Sequence, residues 1–231
     1  MKVINHVANA GIAVALLVAQ TSAFAAEDVS KTSLQELVDE SAQVVTDFTN
    51  APKMDTFREL AKKAKGVFIS PKVTTLGFVV AGSSGKGLVM LRDDGNEWGQ
   101  PAFYRYKEGS VGLQAGGKQA AVILLLMTDK GVEAMLQDKI KLGAGLSVAA
   151  GPIGGGTTQS MKTEADIISY TMSEGLFAGV ALSGGQMSYR NGWNNEYYDG
   201  TVAGVESILK SNAHSDPGTA ALREAMGKLG M

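Results

Sequence analysis

From Gly66 to Gln186 the chain is mostly a succession of short strand-like stretches separated by turns, and this constrains the fold more than any other feature. Tyr104 and Tyr106 alternate with Arg105 and Lys107, and Val111, Leu113 and Ala115 with small or polar residues, the period of a strand, while A-V-I-L-L-L-M (121–127) is a continuous apolar run with β-branched content that reads as a buried strand. Others are G-V-F-I-S-P-K-V (66–73), T-L-G-F-V-V-A-G-S-S-G-K-G-L-V-M-L-R (75–92) and the Trp98–Tyr106 segment. Asp94-Gly95-Asn96 is a hairpin signal. Further strands are expected over 109–116, 141–156, 166–172 and 175–186. The chain holds 29 glycines among 231 residues, many of them inside these stretches. A glycine in a strand marks a bulge, a tight turn or close backbone approach.

Helices bracket this block. Ser33 and Glu36 have the spacing of a capping box, and Leu34, Leu37, Val38, Ala42, Val45 and Phe48 share a face, which predicts a helix over 27–50 ended by Pro52. A second helix is predicted from Asp55, as N-cap, to Lys65, with Gly66 as its stop. There Phe57, Leu60, Ala61 and Ala64 form the apolar face, and Arg58, Lys62 and Lys65 form a basic flank. Such a flank suits either a solvated helix packed on a sheet or a surface that meets anionic head groups. Shorter helices are expected over Lys130–Gln137, Val202–Lys210 and Pro217–Leu229. The fold class is α+β: a large antiparallel, glycine-rich sheet, sandwich or barrel-like, with flanking N- and C-terminal helices.

The first residues are of another kind. Lys2 precedes an apolar run from about Ala10 to Ala19, and Ala23-Phe24-Ala25 gives an A-x-A cleavage signal. The run is too short for a bilayer span, so residues 1–25 read as a secretory signal peptide and 27–231 as one domain, placed in the periplasm. Without cysteine the chain has no disulfide, thiolate nucleophile or thiolate metal site. The net charge of −2 becomes −3 once Lys2 is removed with the signal. A weakly acidic chain argues against general nucleic-acid binding.

G-L-Q-A-G-G-K-Q (112–119) imitates a phosphate-binding loop, but Gln119 stands where a Ser or Thr hydroxyl is needed. It lies between two strand-like stretches, so a hairpin is expected there and no nucleotide. Only His6 and His214 are present, too few for a histidine metal site or an evident triad. No cofactor, metal or catalytic residue is assigned. Carboxylate chemistry is left to Asp93, Asp94, Glu97, Glu108 or Asp129. Trp98, Phe103 and Tyr104 read as packing residues.

A-K-G-V-F-I-S-P-K-V (64–73), G-F-V-V-A-G-S-S-G-K-G, W-G-Q-P-A-F-Y (98–104), G-S-V-G-L-Q-A-G (109–116), L-L-M-T-D-K-G (125–131), L-G-A-G-L-S-V-A-A-G-P-I-G (142–154), G-L-F-A-G-V-A-L-S-G (175–184) and N-E-Y-Y-D-G (195–200) occur in that order. In this series the chain resembles the SYLF domain family over about residues 35–230. The resemblance implies a non-enzymatic lipid-binding module, since eukaryotic relatives bind phosphoinositides and some associate with actin patches. It implies lipid contacts from the basic amphipathic N-terminal part, here Arg58, Lys62, Lys63, Lys65 and Lys72, with Phe57 and Leu60, or Val45 and Phe48, as inserting groups. In a chain that reads as exported and bacterial in style, the implied ligand is an anionic phospholipid such as phosphatidylglycerol or cardiolipin, and actin binding is not expected. Two other classes remain: an envelope interaction protein using a sheet edge or the acidic 93–97 hairpin, and a carboxylate enzyme.

Overall fold

The structure is a computed structural model that describes residues 29–77, 80–93, 95–111, 116–154, 165–200 and 202–229. The expected signal peptide, Asp94 and residues 112–115 of the glycine motif lie outside the described residues. No helix among the described residues is long and apolar enough to cross a membrane.

Helix α1 (Lys31–Asn50) buries Leu34, Leu37, Val38, Val44, Val45 and Phe48. Its cap is Ser30, whose side chain accepts from the Ser33 N–H, and not the expected Ser33, whose hydroxyl instead donates to the Ser30 carbonyl at 2.9 Å. Helix α2 (Asp55–Lys63) starts from Met54 without a side-chain cap. It ends before the expected Lys65 because the sheet captures the chain. The Lys65 N–H donates to the Leu126 carbonyl at 2.8 Å, and the Arg92 N–H to the Lys65 carbonyl at 2.9 Å. Gly66 then opens a strand, where a Cβ would stand 2.6 Å from the Leu91 side chain.

Strands β1 (Gly66–Gly77), β2 (Val80–Leu91), β3 (Ala102–Val111), β4 (Gly116–Leu126), β5 (Lys139–Lys141), β6 (Val148–Ala150), β7 (Ile167–Ser173), β8 (Leu176–Gly179) and β9 (Gln186–Tyr189) form one sheet. The order is β5-β9-β3-β2-β1-β4-β7-β6, with β8 also paired to β7. All pairs are antiparallel except β6 with β7, so the sheet is mixed. The expected hairpin around 112–119 does not form as drawn. Residues 102–111 and 116–126 are strands, but the β1–β2 hairpin stands between them.

The two ends of the order, β5 and β6, are consecutive in sequence and joined only by residues 142–147. Six residues reach at most about 20 Å, so the sheet must curl. Alternation along the curled strands feeds two cores. One face places Val67, Ile69, Leu88, Met90, Phe103, Ile123 and Leu125 under α1, α2 and the C-terminal helix α6 (Ala220–Leu229). The other gathers Phe68, Val89, Tyr104, Leu124, Leu142, Leu146 and Met187 inside the curl. Helices α3 (Asp129–Met135) and α5 (Val205–Leu209) contribute Met135 and Ile208 to it. Helix α5 is shorter than the expected 202–210, beginning after Gly204 at φ 146°. Helix α4 (Asn191–Tyr197), which the sequence pattern did not signal, buries Trp193 and Tyr197.

The glycine-laced stretches 141–156 and 175–186 are not the long strands expected. A Cβ on Gly151 would sit 2.1 Å from the Tyr170 ring, and one on Gly179 would sit 1.8 Å from the Gly151 carbonyl oxygen. Glycine there serves close approach of backbone to ring and of backbone to backbone.

Candidate functional site

Where α2 stops and β1 begins, the chain leaves a cleft of about 570 Å³. Lys62, Lys63 and Lys65 line one side, and Arg92 and Lys210 another, with Asp93 and Asp129 as the acidic residues. The last turn of α2 supplies Lys62 and Lys63, both exposed and with no ion pair among the described residues. Lys65 pairs with Asp129 at 2.6 Å.

Arg92, the first residue past β2, fixes the floor. Its Nη1 donates to the Lys62 carbonyl at 2.9 Å and to Asn96 Oδ1 at 2.8 Å, and its Nη2 to the Ala61 carbonyl at 3.3 Å. A cation on the last carbonyls of a helix offsets the negative end of its dipole. The guanidinium also stacks 4.5 Å from the Trp98 ring centroid. Burial lowers the Arg92 pKa below its ordinary value. Its Nε and the neighbouring Trp98 Nε1 are buried donors without a hydrogen-bond partner among the described residues. Two such donors side by side suit an oxygen acceptor.

The cleft unites Lys62, Lys63 and Lys65 from the sequence-derived set and leaves out Arg58, Lys72 and Phe57. Arg58 is structural: its Nη1 donates to the Thr49 carbonyl at 2.8 Å and the Ala51 carbonyl at 3.2 Å, closing the end of α1, and its Nη2 meets Asp55. Lys72 lies on β1 and pairs with Glu40 of α1 in a separate groove. Phe57 is fully buried, its ring 5.2 Å from Phe48 and 5.1 Å from Tyr170. Leu60, Val45 and Phe48 are buried as well, so none of the expected inserting groups faces outward in this conformation. Each is held by the core that the helix periodicity also described. Arg92 and Lys210 were missed because each stands at the end of an element, outside any periodic pattern.

The expected acidic residues are occupied in other ways. Asp93 accepts from the Glu97 N–H at 2.8 Å within the β2–β3 turn, Glu108 accepts from the Tyr106 hydroxyl at 2.7 Å, and Asp129 holds Lys65. The His214 ring lies 5.6 Å from that of Tyr198. Among the described residues no three His, Cys, Asp or Glu gather as a metal site. Among the described residues the one buried carboxylate is Asp166, which accepts from Thr128 Oγ1 at 2.7 Å and from the Ser147 N–H at 2.9 Å. Burial by itself would raise its pKa, but the bonds from Ser147 and Thr128 and the charge of Lys130 hold it below the ordinary value.

Comparison with known proteins agrees with the SYLF resemblance. The family model Ysc84, described as "Las17-binding protein actin regulator", matches residues 107–229, and the chain belongs to this family. A bovine SH3 domain-containing YSC84-like protein 1 is 29% identical over 174 residues, covering 72% of this chain and 51% of the relative. An SH3 domain-containing protein of Schizosaccharomyces pombe is 33% identical over 144 residues, covering 60% and 33%. LAS seventeen-binding protein 3 of Saccharomyces cerevisiae is 27% identical over 164 residues, covering 69% and 35%. The chain thus spans about half the length, or less, of these relatives. No solved structure matches it at comparable significance. The family description names actin regulation and a protein partner, which counts against the expectation that actin has no part.

Proposed function

We propose that the chain is an exported, non-enzymatic protein of the periplasm that binds anionic phospholipid surfaces through the α2 cleft. The observation that carries this is the pair of exposed ammonium groups, Lys62 and Lys63, without an ion pair among the described residues, on one cleft with Arg92 and Lys210. Lysines act there as point charges toward lipid phosphates. The buried apolar face of α2 makes this an electrostatic contact at the surface and not an insertion. Phosphatidylglycerol and cardiolipin are the ligands in view.

Each lysine near an anionic membrane is worth about 1 kcal/mol, so Lys62→Ala with Lys63→Ala should weaken binding roughly 30-fold. The test is co-sedimentation with neutral and phosphatidylglycerol vesicles at low and high salt. Salt-sensitive, anion-selective binding that falls in the double variant supports the reading. Absence of binding to anionic vesicles overturns it.

A second reading has the family description behind it: the same basic cleft would receive an acidic segment of a protein partner. Pull-down of a partner that competes with vesicles for Lys62 and Lys63 would favour it.

A further inference from the structure

The curled sheet has two outer edges, and the sequence treats them differently. At one end β5 reads Lys139-Ile140-Lys141, with both lysines exposed and the isoleucine buried. Lysine on an edge strand discourages a further strand from adding to it. At the other end β7 shares its outer side between β6, which pairs with residues 167–169, and β8, which pairs with residues 170–173. No strand lies beyond β8 among the described residues. Residues 175–189 include neither a charge nor a proline. Leu176 and Val180 are 75% and 42% exposed, and Ala178 between them is exposed as well. This edge carries no guard of the kind β5 has.

The turn before β8 determines which backbone groups face outward. Glu174 and Gly175 both have positive φ, 51° and 77°, as a two-residue type I′ hairpin turn requires. Such a turn closes on a hydrogen-bonded pair, here Ser173 with Leu176. Bonded and non-bonded pairs alternate along an antiparallel ladder, so Thr171 with Ala178 is bonded and Met172 with Phe177 is not. The Phe177 N–H and C=O therefore point away from β7, out of the sheet. The Phe177 ring is anchored against Phe48, with centroids 4.9 Å apart, which holds the strand in place.

We propose that β8 pairs with β8 of a second copy, antiparallel about a two-fold axis at Phe177, so that the sheet runs on from one protomer into its partner. In that register Phe177 exchanges two N–H···O=C bonds with the partner's Phe177, and Leu176 stands opposite the partner's Ala178 on either side. Leu176 and Ala178 leave the same face of the strand, as residues so paired must. The ends of the strand match in charge. Glu174 lies at one end. Lys53 lies toward the other, because its carbonyl accepts from the Gly154 N–H at 2.9 Å and the Gly151 backbone abuts Gly179. Both are exposed and neither makes an ion pair among the described residues. The two-fold axis brings each toward the opposite charge of the partner. None of these residues lines the α2 cleft, so the pairing does not rest on the lipid reading.

Sedimentation velocity of the purified protein from about 1 μM to about 1 mM tests this, since so short an edge belongs below the roughly 1,000 Å² of a lasting interface and should associate reversibly within that range. Leu176→Lys gives this edge the guard that β5 has and should raise the dissociation constant about tenfold or more. Glu174→Lys and Lys53→Glu should each weaken association, and the two together should restore it. The chain has no cysteine, so Leu176→Cys with Ala178→Cys carries only introduced thiols. Residues opposed in a non-bonded pair lie about 4.5 Å apart at Cα, within disulfide range. Mild oxidation should link two copies, and Lys139→Cys with Lys141→Cys on the guarded edge should leave them single. Circular dichroism matching the parent shows that a variant is folded, and where Leu176→Lys fails that check the cross-linking pair decides. A parent that stays monomeric leaves the edge to a strand of another protein and overturns the self-pairing. So does association undiminished by Leu176→Lys, a charge swap that restores nothing, or equal cross-linking at the β5 edge.

Discussion

Replacing Arg58 with alanine should destabilise the protein without releasing it from membranes. The guanidinium bonds the Thr49 and Ala51 carbonyls at the end of α1, and its side chain is 31% exposed. Hydrogen bonds from a charged donor contribute about 1.5–3 kcal/mol each, and water would recover part of that at a half-exposed helix end. The ion pair adds little, since Asp55 is 73% exposed. The expected loss is therefore about 2–3 kcal/mol. In a chain of this size that lowers Tm by roughly 4–12 °C. Arg58→Lys should recover less than half, because one ammonium cannot reproduce the fork. Urea and thermal unfolding followed by circular dichroism measure the loss, and vesicle co-sedimentation of the folded variant measures membrane affinity. A stability change under about 0.5 kcal/mol would refute the capping role. A large fall in vesicle affinity at unchanged stability would return Arg58 to the lipid-binding set.

Gly179→Ala should cost more than 3 kcal/mol or prevent folding, because its Cβ would lie 1.8 Å from a backbone oxygen that cannot swing aside; thermal unfolding reads this. Asp166→Ala should cost about 1–3 kcal/mol, since it removes the acceptor shared by the Ser147 N–H and the Thr128 hydroxyl, both bonds being partly buried. The Asp166 pKa is depressed below its ordinary value of 3.8, so its stabilisation is complete above that pH and fades as pH falls through the lower folded value. Urea midpoints across the acid range should accordingly fall below about pH 4 in the parent and fall less in Asp166→Asn. Arg92→Ala should lower stability by about 2 kcal/mol, by uncapping α2 and unstacking Trp98, and should also weaken anionic vesicle binding.

Local pattern alone was enough to place the long strands from Val67 to Leu126, the apolar face of α1, the turn at 93–97 and the basic lysines of α2. Each is a property of neighbours in sequence: period two, period 3.6, or a turn dipeptide. The strand order was not legible, because a β3–β4 link of a few residues looks like a hairpin until the β1–β2 hairpin is found between its ends. Glycines at 151 and 179 announced close approach without saying to what, since Tyr170 and the Gly151 backbone reach them only through the curl of the sheet. The basic residues show the same division. The SYLF resemblance put Arg58, Lys62, Lys63, Lys65 and Lys72 into one group. Folding turned Arg58 inward onto a helix end, carried Lys72 to another groove, and joined Arg92 and Lys210 to the rest. Charge is a property of a residue, but what a charge faces depends on packing between segments that are far apart in the chain.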